Sequence, residues 1–135
     1  MASSRLKMGG DPLDRSVAAG QDVTQVCFDY GIVVNFSDGA SLRIESDFDL
    51  EVAGEVLRVS PGEAGHASVV LSLLHKKVSR FHIDDGGALD VLLSSDCRLK
   101  CGEDPDYEAW TLTTGAGALY VSLPGGGVAH WPRAT

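Results

Sequence analysis

Carboxylates carry the most distinctive chemistry in this chain. Glu45, Asp47, Asp49 and Glu51 alternate along one stretch, and Glu103, Asp104 and Asp106 crowd a second. Period-two spacing puts the first group on one face of an extended segment, where like charges cost stability unless water or a cation screens them. Such a face works best electrostatically, by steering a basic partner toward contact. Calcium fits poorly, because the fixed ligand spacing around a central glycine is missing. The second group belongs to Asp104-Pro105-Asp106-Tyr107-Glu108-Ala109-Trp110, which has two readings. As a rigid loop it delivers Trp110 into the core, where the indole needs a hydrogen-bond acceptor. As a surface it shows acidic and aromatic groups to another molecule.

Other chemistries are weaker. Cys27, Cys97 and Cys101 are an odd number, which fits reduced thiols. On one straight strand Cys97 and Cys101 lie about 13 Å apart, too far for a bridge. With His82 they match no closed zinc pattern, so no metal and no cofactor is expected. Gly125-Gly126-Gly127 lacks the Lys-Ser/Thr and the helix of a phosphate loop and reads as a turn. His66, His75 and His130 have no nucleophile at a recognised spacing, although a triad is a matter of geometry and not of chain order. Trp110, Tyr120 and His130 are the candidates for a pocket on the concave face of a curved sheet.

The elements that must position these groups follow from periodicity. Ser60-Pro61-Gly62-Glu63 reads as a capped helix start, apolar residues recur at Ala67, Val70, Leu71, Leu74 and Val78, and His75 to Lys77 put charge in the last turn. This predicts one covering helix over 60–77. Elsewhere alternation dominates, in a β unit over 23–59, a second over 78–101 and C-terminal strands over 109–131. Ser37-Asp38-Gly39 is the clearest hairpin turn. Phe36, Leu42 and Ile44 recur as Leu93, Leu99 and Cys101, 57 positions on, and Val26 to Asp29 recur as Phe81 to Asp84, 55 positions on. Two similar β units are one explanation, and the default likeness of hairpins is the other. Residues 1–20 read as a flexible tail with a short helix over 13–19, and 21–135 as a single β-rich domain. The expected fold is mainly β (α+β), an antiparallel curved sheet or partly open barrel with the helix over its open face.

The 135 residues carry 19 acidic against 11 basic side chains, a formal charge of −8. That balance disfavours nucleic acid and suits a basic protein partner. No apolar run is long enough to span a bilayer and the first residues lack a signal-peptide core, so the expectation is a cytoplasmic protein with no membrane contact.

The motifs Asp38-Gly39 with Leu42-Arg43-Ile44-Glu45, Asp104-Pro105 with Tyr107-Glu108-Ala109-Trp110 and Leu112, and Leu123-Pro124-Gly125-Gly126-Gly127 with Ala129 and Trp131 make a combined pattern. Over Val23 to Trp131 it resembles a family of small actinobacterial proteins with no assigned function. The resemblance implies no catalytic residue. In size and charge alone the chain is similar to the immunity proteins that neutralise bacterial toxins. The expected function is therefore non-enzymatic protein binding through an acidic surface, immunity-type or regulatory. A small-molecule binder or enzyme using the concave face, and a homo-oligomeric structural protein pairing through spare strand edges, stay open.

Overall fold

Alternating apolar residues give eleven strands in the computed structural model, which describes residues 18–132. They are β1 (Val23–Phe28), β2 (Ile32–Phe36), β3 (Ser41–Ile44), β4 (Phe48–Val52), β5 (Glu55–Val59), β6 (Val78–Ile83), β7 (Leu89–Leu93), β8 (Cys97–Cys101), β9 (Trp110–Thr113), β10 (Leu119–Ser122) and β11 (Val128–Trp131). All pairings are antiparallel, in a six-stranded sheet of order β1-β2-β3-β9-β10-β11 and a five-stranded sheet of order β5-β4-β8-β7-β6. The buried phases of both sheets, including Val34, Leu42 and Leu112 from one and Leu50, Val91 and Leu99 from the other, join in one core. Phe36 and Phe81 meet edge to face across it, centroids 6.2 Å apart. The curved sheet of the sequence reading is thus two sheets sharing a core, with no closed barrel.

The fold class is as expected, mainly β with one helix, but two finer expectations need correction. The helix is much shorter than 60–77: a 3-10 turn spans Ala64–His66 and α1 only Ala67–Leu71. Gly62 sits at φ +93° and His75 at φ +72°, left-handed positions that break a right-handed helix on both sides. Glu63 makes no side-chain cap, and its N–H bonds Ser60 O in a turn. The apolar face survives, because Val70 and Leu73 are buried and Val69 and Leu74 pack beside them. The acidic stretch 45–51 is also not one extended segment. The chain leaves β3 of one sheet at Ile44 and enters β4 of the other at Phe48, so Glu45 and Asp47 lie in the crossover while Asp49 and Glu51 lie on β4. Most of the helix expected over 13–19 and of the tail lies outside the described residues; Ala18, the first described, is at φ +50° in a bend.

The two β units repeat one hydrogen-bond pattern. β1 and β6 carry matching register shifts, between Val23 and Gln25 and between Val78 and Arg80. They meet at the Asp22–Lys77 bridge, where Val23 N–H donates to Lys76 O as Val78 N–H donates to Gln21 O. His75 N–H donates to Val23 O and Gly20 N–H to Val78 O, the donors both at left-handed φ. Ser37 Oγ accepts from Asp22 N–H and Ser94 Oγ from Lys77 N–H. Ser60-Pro61-Gly62 and Leu123-Pro124-Gly125 close the units with the same turn bond. Each unit gives three strands to one sheet and then crosses over, with β4-β5 going beside β8 and β9-β10 beside β3. β11 has no counterpart after β5.

Candidate functional site

The crossovers build the site. On the outer face of the five-stranded sheet, directly opposed residues form a row running Arg58, Asp49, Lys100, Asp90, His82. The next row runs Val56, Glu51, Arg98, Leu92, Arg80. Opposite charges therefore face one another across four strands, each such pair mildly stabilising. Arg58 Nη1 lies 3.1 Å from Asp49 Oδ1, and Arg98 grips Asp90 with two bonds, Nε to Oδ1 at 2.9 Å and Nη2 to Oδ2 at 2.6 Å. This grip, helped by Lys100 and His82 and opposed by burial, holds the Asp90 carboxyl below the usual carboxylate range.

Walls rise around the first row. They are the crossover at Glu45 to Asp47, the turn at Asp84 to Ala88, and the loop after β8, and they enclose an open cleft of about 900 Å³. Asp104 shapes that loop: Oδ1 accepts the N–H groups of Asp106 (2.8 Å) and Tyr107 (3.1 Å), and Oδ2 accepts the Ser46 hydroxyl (2.9 Å). The Asp106 N–H, then the Ser46 hydroxyl, lower its pKa. Arg43 ties the crossover wall, bonding Asp29 at 2.8 Å and Glu45 at 3.0 Å. A second depression, shared through Glu45 and Tyr107, continues over Tyr30, Asp106, Glu108 and Pro124. Tyr30 is 93% exposed and Tyr107 70%.

Cys101 lies at the edge of the cleft, but its thiol is buried, 3.6 Å from Gly102 O, and burial pushes its pKa up to about 12. A thiol so protonated is not a nucleophile. Burial also raises Cys97, and all three cysteines are free. Among the described residues no three His, Cys, Asp or Glu side chains are placed to hold a metal ion, and no helix is long and apolar enough to cross a membrane.

The glycine-rich motifs meet at one corner. Gly87 O accepts from Trp110 Nε1 at 2.9 Å and from the buried Ser122 hydroxyl at 3.0 Å. Gly127 N–H bonds Gly86 O and Gly125 N–H bonds Asp104 O, so Gly125–Gly127 forms a turn that locks the corner. Gly87 itself is at φ +97°, and a Cβ there would run into Gly127 O. A family model spans residues 16–132, taking in all of these motifs. The chain belongs to that family, DUF6188, a family of unknown function. No curated protein and no solved structure matches it.

Membership names no site, so the geometry has to. Of the acidic residues singled out from the sequence, Glu45, Asp47, Asp49, Glu103 and Asp104 come together in the cleft, Asp106 lines the adjoining depression, and Glu51 lies apart beside Arg98. Glu45 and Asp49 are tied to arginines and Asp104 to its loop. Asp47, Glu103 and Asp106 carry no ion pair among the described residues. Trp110, Tyr120 and His130, expected to line a pocket, pack on the inner face of the six-stranded sheet. Trp110 is fully buried, Tyr120 is 7% exposed, and Tyr120 and His130 stack at 4.3 Å, so the inner face is filled. Sequence reasoning missed Tyr30, Arg58, His82, Asp90 and Lys100. An aromatic at the tip of the Asp29-Tyr30-Gly31 turn was a readable signal, whereas the cations depend on strand order.

Proposed function

We propose that the protein is a non-enzymatic binding module whose acidic, aromatic-edged cleft takes a lysine- or arginine-rich segment of a protein partner. One observation carries this reading: Asp47, Glu103 and Asp106 lie along one continuous depression edged by the exposed rings of Tyr30 and Tyr107. Carboxylates without internal cations are free to steer and pair with incoming guanidinium or ammonium groups, and exposed tyrosines offer large contact area and cation–π faces. The protonated Cys101 thiol and the filled inner face favour binding over catalysis. A toxin whose basic active site the cleft would cover is one partner of this chemistry, and a regulatory protein with a basic tail is another. We also infer that the two β units arose by duplication, on the strength of their matched registers and turn bonds.

The test is fluorescence anisotropy with a labelled nona-arginine peptide, at low salt and at roughly 0.3 M, where exposed charges are strongly screened. Wild-type protein binds and salt weakens the complex. Asp47→Lys with Glu103→Lys leaves the melting temperature nearly unchanged and slows association at least about tenfold. Binding indifferent to both the reversals and the salt rejects the proposal.

A further inference from the structure

The repeat exposes an unfilled place in the five-stranded sheet. The offset that maps Ser60-Pro61-Gly62 onto Leu123-Pro124-Gly125 maps Leu57 of β5 onto Tyr120 of β10. Tyr120 is covered by His130 of the next strand, β11, whereas β5 is the last strand of its sheet. Val56 on this edge is 58% exposed, and Leu57 is only half-buried, beside an open depression of about 440 Å³ that reaches Val52 and Val69.

The edge has a definite hydrogen-bonding phase. Ala53 (φ +53°) and Gly54 (φ +87°) form a two-residue turn closed by the Val52–Glu55 pair. In such hairpins the closing pair exchanges both bonds and bonded pairs then alternate. Glu55, Leu57 and Val59 therefore bond to β4, and the N–H and C=O groups of Val56 and Arg58 point away from the sheet.

We propose that β5 pairs antiparallel with β5 of a second copy, Leu57 opposite Leu57 and Val56 opposite Arg58. Facing residues in a continuous sheet share a face, so neighbouring registers differ by whole steps. One neighbour sets Arg58 against Arg58, a like-charge clash. The other leaves Val56 opposite itself and halves the bonds made within the strand. The chosen register makes about four hydrogen bonds. It also extends the charge order of the outer face, because Arg58 of the second copy lies across Val56 from Glu51 while keeping its own Asp49. The two Leu57 side chains meet over the open depression. This interface is isologous, so each substitution acts twice.

Sedimentation velocity on the full chain from micromolar to millimolar concentration tests the pairing. Wild-type protein dimerises, and amide exchange at Val56 and Arg58 slows as concentration rises. Val56→Lys sets like charges opposite Arg58 on both sides and weakens the dimer about tenfold or more. Val56→Glu sets opposite charges there and tightens it several-fold. Circular dichroism of both variants matches wild type, since Val56 is exposed. A wild-type chain that stays monomeric throughout overturns the proposal, even if it accepts an unrelated extended peptide at β5. So does a dimer indifferent to both substitutions, which must use another surface.

Discussion

Strands β1 to β5 with their closing turn, over 23–62, and β6 to β10 with theirs, over 78–125, share a backbone plan and differ in what their side chains do with it. Where β4 begins with Phe48 and β5 ends in Val59, β9 begins with Trp110 and β10 ends in Ser122. The apolar pair makes an ordinary core. The polar-tipped pair reaches across to Gly87 O and fastens the sheets at one corner. That fastening holds the loop carrying Asp104 to Tyr107 in place, because Gly125 N–H in the adjoining turn bonds Asp104 O. The shared plan supplies a scaffold, and departures from it build the candidate site.

Substitutions that make one unit resemble the other test this directly. The largest effect is expected at Trp110: Trp110→Ala costs about 3–5 kcal/mol through lost burial and a cavity, measured by denaturant unfolding. Trp110→Phe, which imitates Phe48, should cost less and loosen the 104–107 loop, seen as faster amide exchange at Tyr107. An unchanged stability for Trp110→Ala would remove the residue from the core. Next comes Gly115→Ala, whose new Cβ would collide with Asp38 O, costing about 1–3 kcal/mol. At the matching turn of the first unit, Ala53 sits at φ +53°, so Ala53→Gly should be neutral or stabilise slightly. Equal shifts in melting temperature for the two would contradict the contrast. Ser122→Val, copying Val59, removes one of two bonds to Gly87 O and should cost about 1 kcal/mol.

The smallest effect concerns pH. Asp90 is held ionised by Arg98, so its folded pKa is depressed. The stability it contributes is complete above the ordinary carboxylate pKa and is lost as pH falls through the lower, folded value. Asp90→Asn should therefore lower the melting temperature modestly at neutral pH, and the gap from wild type should close in acid. A gap that persists at the acid end would assign the loss to packing.

Much of the fold was legible because period-two alternation is a local property. Val34 and Phe36, Leu89 to Leu93 and Cys97 to Cys101 fall on the faces that the pattern predicts. The 55- and 57-position recurrences were likewise visible as spacing. The pattern overstates the helix because Ser60-Pro61-Gly62-Glu63 carries helix-start residues while making a turn, whereas the matching Leu123-Pro124-Gly125-Gly126 keeps the proline but lacks the capping Ser and Glu. The site was half legible: the carboxylates were found, but not what neutralises them. Asp49 meets Lys100 only because β4 pairs with β8, a long-range pairing that no local pattern announces. Grouping Trp110, Tyr120 and His130 as a pocket presumes a single sheet, whereas here a second sheet packs against that face and shares a core with Trp110 and Tyr120.

The proposed recognition runs along the cleft from Asp47 to Tyr30. Titrating the nona-arginine peptide into isotope-labelled protein and following amide chemical shifts tests it residue by residue. Shifts concentrated at Asp47, Glu103, Asp106 and Tyr107 and at the Tyr30 turn, with the six-stranded sheet's outer face and the β5 edge unmoved, are the predicted result. Shifts spread evenly over all acidic side chains, or centred on residues outside this cleft, would contradict it.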